Sequence, residues 1–219
     1  MYRFVVALQR TRSYALKRNY ELMYEYRKLT QQEKTALVQK RLAKGYPPHS
    51  PPHPIQDSEF YLITVTCYEY KCRINTVERR QQLSNELFER FIHEEIEILA
   101  WVILPNHYHL LIKNVEFKLL SRILRSIHGL IARQWNLEEN TTGKVWCSFS
   151  DRAIRSVRHY YTTLNYIHYN PVKHNWVKSP YDWTESSVHW YLENYGRDWL
   201  RSSWIEYPVR DYGKGWDNL

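Results

Sequence analysis

The chain has 219 residues with a formal charge of +8 and a pI near 9.3, and its longest apolar runs fall well short of the roughly 20 residues of a membrane span. Its length predicts one domain with room for an appendage. Three cysteines, Cys67, Cys72 and Cys147, form no Cys-x-x-Cys pair and read as reduced thiols, against a disulfide frame or a zinc ribbon. The opening segment, punctuated by Arg3, Arg10 and Arg12, offers no continuous apolar core or cleavage site, so a cytoplasmic protein with no membrane association is expected.

Eleven cations against four acids in residues 1–57 place +7 of the +8 there. Within this arm Thr30 and Glu33 have capping-box spacing, with Leu37, Val38 and Leu42 behind them at helical intervals, which predicts a basic helix closing at Gly45. Pro47-Pro48-His49-Ser50-Pro51-Pro52-His53-Pro54 bars helix and central strand, so it reads as an extended linker, its histidines solvated for want of a frame to fix coordination. The domains are therefore drawn as a basic arm and linker at 1–57, a main domain at 58–180 and an aromatic tail at 181–219 packed on it.

Phe60 to Cys67 reads as a strand, and Val77 to Glu95 as a helix with a Leu83, Leu87, Phe88, Phe91 stripe. Ile98 to Leu104 and His107 to Ile112 are rich in β-branched and aromatic residues and meet at the turn signal Pro105-Asn106, forming a hairpin. Alternation puts His107 and His109 on one face, about 6.7 Å apart along the strand. Such a pair can grip one divalent ion or simply bond to sheet neighbours, and the strand alone does not choose.

Phe117 to Trp135 repeats apolar residues at helical spacing, with Arg122, Arg125 and Arg133 on its other side. Val145-Trp146-Cys147 is assigned as the last strand. The order is that of an α+β, ferredoxin-like split βαβ sandwich, an antiparallel sheet with helices on one face and the other open to a ligand or further element. Ser156 caps a helix from Val157 to about Tyr169, expected to stop where Pro171 pushes Asn170 out of the helical region. This helix carries Tyr160, Tyr161, Tyr166 and Tyr169. The tail beyond is expected to be irregular, with Trp176, Trp183, Trp190, Trp199, Trp204 and Trp216 serving packing rather than base stacking.

Two segments then bear on chemistry: Leu104-Pro105-Asn106-His107-Tyr108-His109, and Leu164 to Val177 with its Tyr166-x-x-x-Asn170-Pro171-Val172 core. In this order and separation, from about Phe60 to Val177, they resemble the REP-associated tyrosine transposases, single-tyrosine HUH endonucleases of the insertion-sequence 200-like type. The resemblance implies His107, His109 and Asn170 as ligands of Mg²⁺ or Mn²⁺, and Tyr166 as the nucleophile on DNA. Spacing independently sets Tyr166 and Asn170 at i and i+4 on one helix face, although Tyr160, Tyr161 and Tyr169 remain alternatives by spacing alone. His168 and His174 read as local hydrogen-bonders or phosphate contacts. Lys173, Arg152, Arg155 and Arg133 read as phosphate-holding candidates or as solvated surface cations. Asn175 stands where the family has Gly, a change Asn tolerates because it enters the left-handed region.

The implied activity is a site-specific endonuclease and strand transferase on single-stranded, hairpin-bearing DNA, acting as monomer or homodimer beside the nucleoid; the alternative is a non-catalytic nucleic-acid-binding protein on the same fold. The +7 arm motivates the hypothesis that it grips the hairpin stem. Deleting residues 1–54 should then lower hairpin-DNA affinity and flatten its salt dependence, whereas unchanged affinity in a salt titration contradicts that role.

Overall fold

The computed structural model of the chain describes residues 58–113 and 115–214, together with Thr30, Gln32, Glu33, Thr35, Ala36 and Gln39. Chain order gives β1 (Phe60–Thr66), α1 (Val77–His93), β2 (Glu97–Ile103), β3 (His107–Lys113), α2 (Phe117–Glu138), β4 (Ser150–Ala153), α3 (Val157–Lys173) and α4 (Val188–Glu206). The strands form one sheet in the order β2-β3-β1-β4, and every neighbouring pair is antiparallel. This is the expected α+β, ferredoxin-like arrangement.

Period-two alternation divides the sheet residues between two apolar layers. Ile63 and Val65 of β1 and Tyr108, Leu110 and Ile112 of β3 pack beneath α1 and α2, on Leu83, Leu87, Phe91, Leu120, Ile123 and Leu124. Phe60, Leu62, Val102 and Leu111 face the other way, onto Leu164 and Ile167 of α3 and Val188 and Leu200 of α4. Each such aliphatic burial contributes about 1.5–3 kcal/mol, which is what holds α3 on the sheet. Leu99 is a bulge in β2 between the pairs Ile98–Ile112 and Ala100–Leu111. That extra residue lets Ile98 share the first layer with Trp101 and Ile103, while Ala100 and Val102 face the second.

Several boundaries differ from expectation. The edge strand is Ser150–Ala153, paired with Tyr61–Thr64, while Trp146 makes only an isolated bridge to Cys67. Val145 and Trp146 are buried as core filler, and the polar Ser-Asp-Arg of β4 carries no apolar alternation because one neighbour and partial solvation suffice at an edge. Helix α3 continues through Pro171 to Lys173. A proline within the last turn gives up one hydrogen bond, and here both Asn170 and Pro171 are buried, so packing overrides the local bias against helix at Asn170. The tail is not irregular: 188–206 is helical, interrupted at Gly196, whose φ of 83° and ψ of 168° hide the periodicity by splitting it. Trp176 and Trp190 are exposed, against the expectation of burial, and Trp216 lies outside the described residues.

In the arm, Glu33 accepts from the Thr30 amide at 2.7 Å and the Thr30 hydroxyl from the Glu33 amide at 3.3 Å, the capping box expected there. The helix end at Gly45 and the proline linker lie outside the described residues. No helix among the described residues is long and apolar enough to cross a membrane.

Two histidines packed in these layers, His168 buried and His128 half-buried, are held without charge. Burial lowers His128 to about 4, its Nε2 bonded at 2.8 Å to Tyr108, and lowers His168 to about 3, its Nε2 3.2 Å from Ser187. Both lie below the ordinary value near 6.5, so the stability that depends on their neutrality is fully present above pH 6.5 and declines as pH falls toward 4 and 3, when the unfolded chain takes up the protons first. Urea unfolding should show lower stability at pH 5 than at pH 7. The slope should shrink by up to about 1.4 kcal/mol per pH unit in His128→Asn; an unchanged slope contradicts a neutral His128.

Candidate active site

The Pro105-Asn106 turn starts β3 at His107, which fixes the face its histidines occupy. Thr66 pairs with His107 and Thr64 with His109 across β1, so these four side chains share the face that α3 covers. The two rings stand edge to face with centroids 5.0 Å apart. Each is oriented through Nδ1: His107 by Asn106 Oδ1 at 2.7 Å, and His109 by the Thr64 hydroxyl at 2.8 Å. Both Nε2 atoms therefore point at α3.

There Asn170 Oδ1 lies 3.0 Å from His107 Nε2, and the Tyr166 hydroxyl 3.4 Å from His109 Nε2. The i, i+4 spacing on one helix thus meets the i, i+2 spacing on one strand, residue for residue. The other tyrosines of α3 go elsewhere. Tyr160 is buried edge-on to Phe60, Tyr161 stacks on Tyr207, and Tyr169 meets Trp204. His168 turns away toward Ser187.

An asparagine carbonyl only accepts, so His107 Nδ1 donates to Asn106 and Nε2 keeps its lone pair. That lone pair faces the Asn170 amide at 3.0 Å, an arrangement of donor atoms that can accommodate a cation. The other amide atom, Asn170 Nδ2, is buried with no hydrogen-bond partner. An octahedral ion with bonds of about 2.1 Å holds neighbouring donors about 3 Å apart, so the spacing fits Mg²⁺ or Mn²⁺. No three His, Cys, Asp or Glu side chains among the described residues converge as a metal cluster.

The end of α3 completes the surroundings. Asn175 adopts φ of 58° as the left-handed residue of a Schellman cap, with Asn175 N donating to Val172 O and Trp176 N to Pro171 O. This supports Asn in the position expected to need Gly, and it holds the His174 ring 4.9 Å from His107. Lys173 Nζ lies 5.0 Å over the Tyr166 ring. On β4, Arg152 pairs with Leu62 and so faces the same side of the sheet. Burial lowers its pKa, as it does for neighbouring Arg155, yet both guanidiniums stay protonated, and Arg152 is electrostatically coupled to Tyr166 and Tyr212. Arg133 does not join them; it is exposed on α2, across the sheet.

Sequence reasoning missed the segment after α4. The Tyr212 hydroxyl bonds Thr163 and, at 2.9 Å, His159 Nε2, and Lys173 Nζ donates to Gly213 O at 3.0 Å. Gly213, at φ of 80°, lies so close that a β-carbon there would overlap Cε2 and Cζ of Tyr166. Tyr166 is consequently 1% exposed. Asp-Tyr-Gly-Lys-Gly at 211–215, holding two of six glycines, was the available turn signal.

No family model matches the chain. A REP-associated tyrosine transposase of Escherichia coli K12 is 32% identical over 126 residues, covering 53% of this chain and 73% of the relative. A putative REP-associated tyrosine transposase of Haemophilus influenzae is 32% identical over 121 residues, covering 49% and 68%. A solved structure of a REP-associated tyrosine transposase bound to a REP hairpin is similar with a TM-score of 0.51 and 27% identity, over 63% of this chain and 81% of that one.

If Asn106 sets the direction of His107 Nε2, Asn106→Ala should weaken Mn²⁺ binding by about 10- to 100-fold in calorimetry, while the fold stays intact by circular dichroism. Unaltered Mn²⁺ affinity contradicts that orienting role.

Proposed function

The chain belongs to the REP-associated tyrosine transposases, and from that membership we propose that it is a site-specific endonuclease and strand transferase on single-stranded DNA beside a hairpin, with Tyr166 as nucleophile. The observation that carries the reading is the 3.4 Å approach of the Tyr166 hydroxyl to His109, in the same buried site where Asn170 meets His107. The hairpin as substrate is inferred from the solved relative, which was bound to a REP hairpin.

The chemistry follows from the groups in place. The Tyr166 oxygen attacks phosphorus and gives up its proton; the new P–O bond makes a 5′-phosphotyrosine as the bond to the 3′ oxygen breaks, and that oxygen leaves as a 3′-OH after protonation. Arg152 favours negative charge at the phenol oxygen, and Lys173 and Arg155 hold neighbouring phosphates. His107, His109 and Asn170 are the residues that would hold Mg²⁺ or Mn²⁺, whose positive charge would offset that developing on the phosphoryl oxygens. Because phenolate leaves readily, a DNA 3′-OH can reverse the attack and rejoin strands without an energy source. Burial of the site lowers the local dielectric and strengthens each of these interactions.

Incubation with hairpin DNA bearing a labelled single-stranded flank and Mn²⁺ should give a covalent protein–DNA adduct carrying the 5′-phosphate fragment. The adduct should disappear in Tyr166→Phe and fall by at least about 100-fold in Asn170→Ala, a loss of the size that removing one transition-state charge partner produces. Adduct persisting in Tyr166→Phe assigns the wrong nucleophile, and hairpin binding with no adduct under Mg²⁺ or Mn²⁺ supports the non-catalytic alternative.

A further inference from the structure

Between the C-terminal half of α3 and the 209–214 segment lies a cavity of about 340 Å³ that shares the Tyr166 ring as a wall. Tyr169, Tyr212 and Val209 supply flat and apolar surface, while Lys173, Arg210 and Lys214 place three cations on the lining. Asp211 contributes a carboxylate. The segment holds this shape with Arg210 and Gly213 both at positive φ, and anchors it through the Tyr212 hydroxyl at Thr163 and His159.

We propose that this cavity is a nucleotide pocket, which takes one unpaired nucleotide of the DNA strand next to the scissile phosphate. The inference rests on Tyr166 acting on single-stranded DNA and deepens that reading by naming where the strand is read. The volume lies in the range of small-molecule sites. Rings and cations in one cavity match the two halves of a nucleotide, since any base offers a face for stacking and its phosphate seeks Lys or Arg. A phosphate site alone would need no aromatic wall, and an apolar ligand would need no lysines. Tyr166 belongs both to this lining and to the His109 site, so a nucleotide seated in the pocket lies next to the nucleophilic residue. Asp211 stands at the exposed rim 3.5 Å from Lys214 Nζ, and there its carboxylate can accept from the exocyclic amine of cytosine while repelling the O4 of thymine.

The test uses the full chain, labelled with ¹⁵N, titrated with dAMP, dCMP, dGMP and dTMP and, separately, with inorganic phosphate. Saturable shifts at Tyr169 and residues 209–214, with dCMP at least about fivefold tighter than dTMP and Tyr169→Leu at least about tenfold weaker for every nucleotide, support the pocket. Asp211→Asn guards against a misfolded Tyr169 variant and should abolish the preference for dCMP over dTMP. Equal shifts from inorganic phosphate, or shifts confined to other surfaces, overturn the proposal. The Tyr166 adduct assay runs beside it: adduct formation without nucleotide binding here refutes the pocket alone, and nucleotide binding here without adduct refutes the cleavage reading alone.

Discussion

The 3.0 Å approach of His107 Nε2 to Asn170 Oδ1 is the contact on which the rest of the arrangement depends. It joins a central strand to a helix 63 residues later in the chain, and it requires α3 to occupy the sheet face that α1 and α2 leave open. Once α3 is seated there by Leu164 and Ile167, helical geometry brings Tyr166 to His109 by the same step that brings Asn170 to His107. The sheet provides fixed imidazoles, and the helix provides the Asn170 amide and the Tyr166 phenol. Neither element makes a site alone.

Rigidity in this site comes from groups one layer out. Asn106 and Thr64 hold the two imidazoles by their Nδ1 atoms, so that both Nε2 atoms face α3. The Schellman cap at Asn175 stops α3 just after Lys173, which keeps that cation over the Tyr166 ring. Arg152, on the edge strand, interacts electrostatically with Tyr212 and Tyr166, and its register opposite Leu62 is what turns it to this side. Charge therefore gathers around a buried phenol from two separate elements, where the low dielectric makes each charge count for more.

Much of this was legible because it rests on short periodicities. Alternation along β3 sets His107 and His109 on one face, and the i, i+4 relation sets Tyr166 beside Asn170, whatever the tertiary context. The caps at Thr30 and Ser156 follow from side-chain chemistry within one turn. What was not legible depends on partners distant in sequence. Pro171 reads as a helix stop until the burial of Asn170 and Pro171 outweighs it. The polar β4 carries no strand pattern because its role is to close an edge. Gly196 splits α4 so that its periodicity does not register, and Arg133 resembles Arg152 in type while facing away across the sheet. The segment over Tyr166 gave only a glycine-rich turn signal, with nothing to say what it would cover.

The central claim is that β3 and α3 together build one divalent-metal site beside the nucleophile. Anomalous diffraction from crystals grown with Mn²⁺ tests it most directly. A single strong anomalous peak within about 2.0–2.3 Å of His107 Nε2, His109 Nε2 and Asn170 Oδ1, adjacent to the Tyr166 hydroxyl, is the predicted result. A peak bound elsewhere, or Mn²⁺ held by the histidines with Asn170 turned away, would contradict it.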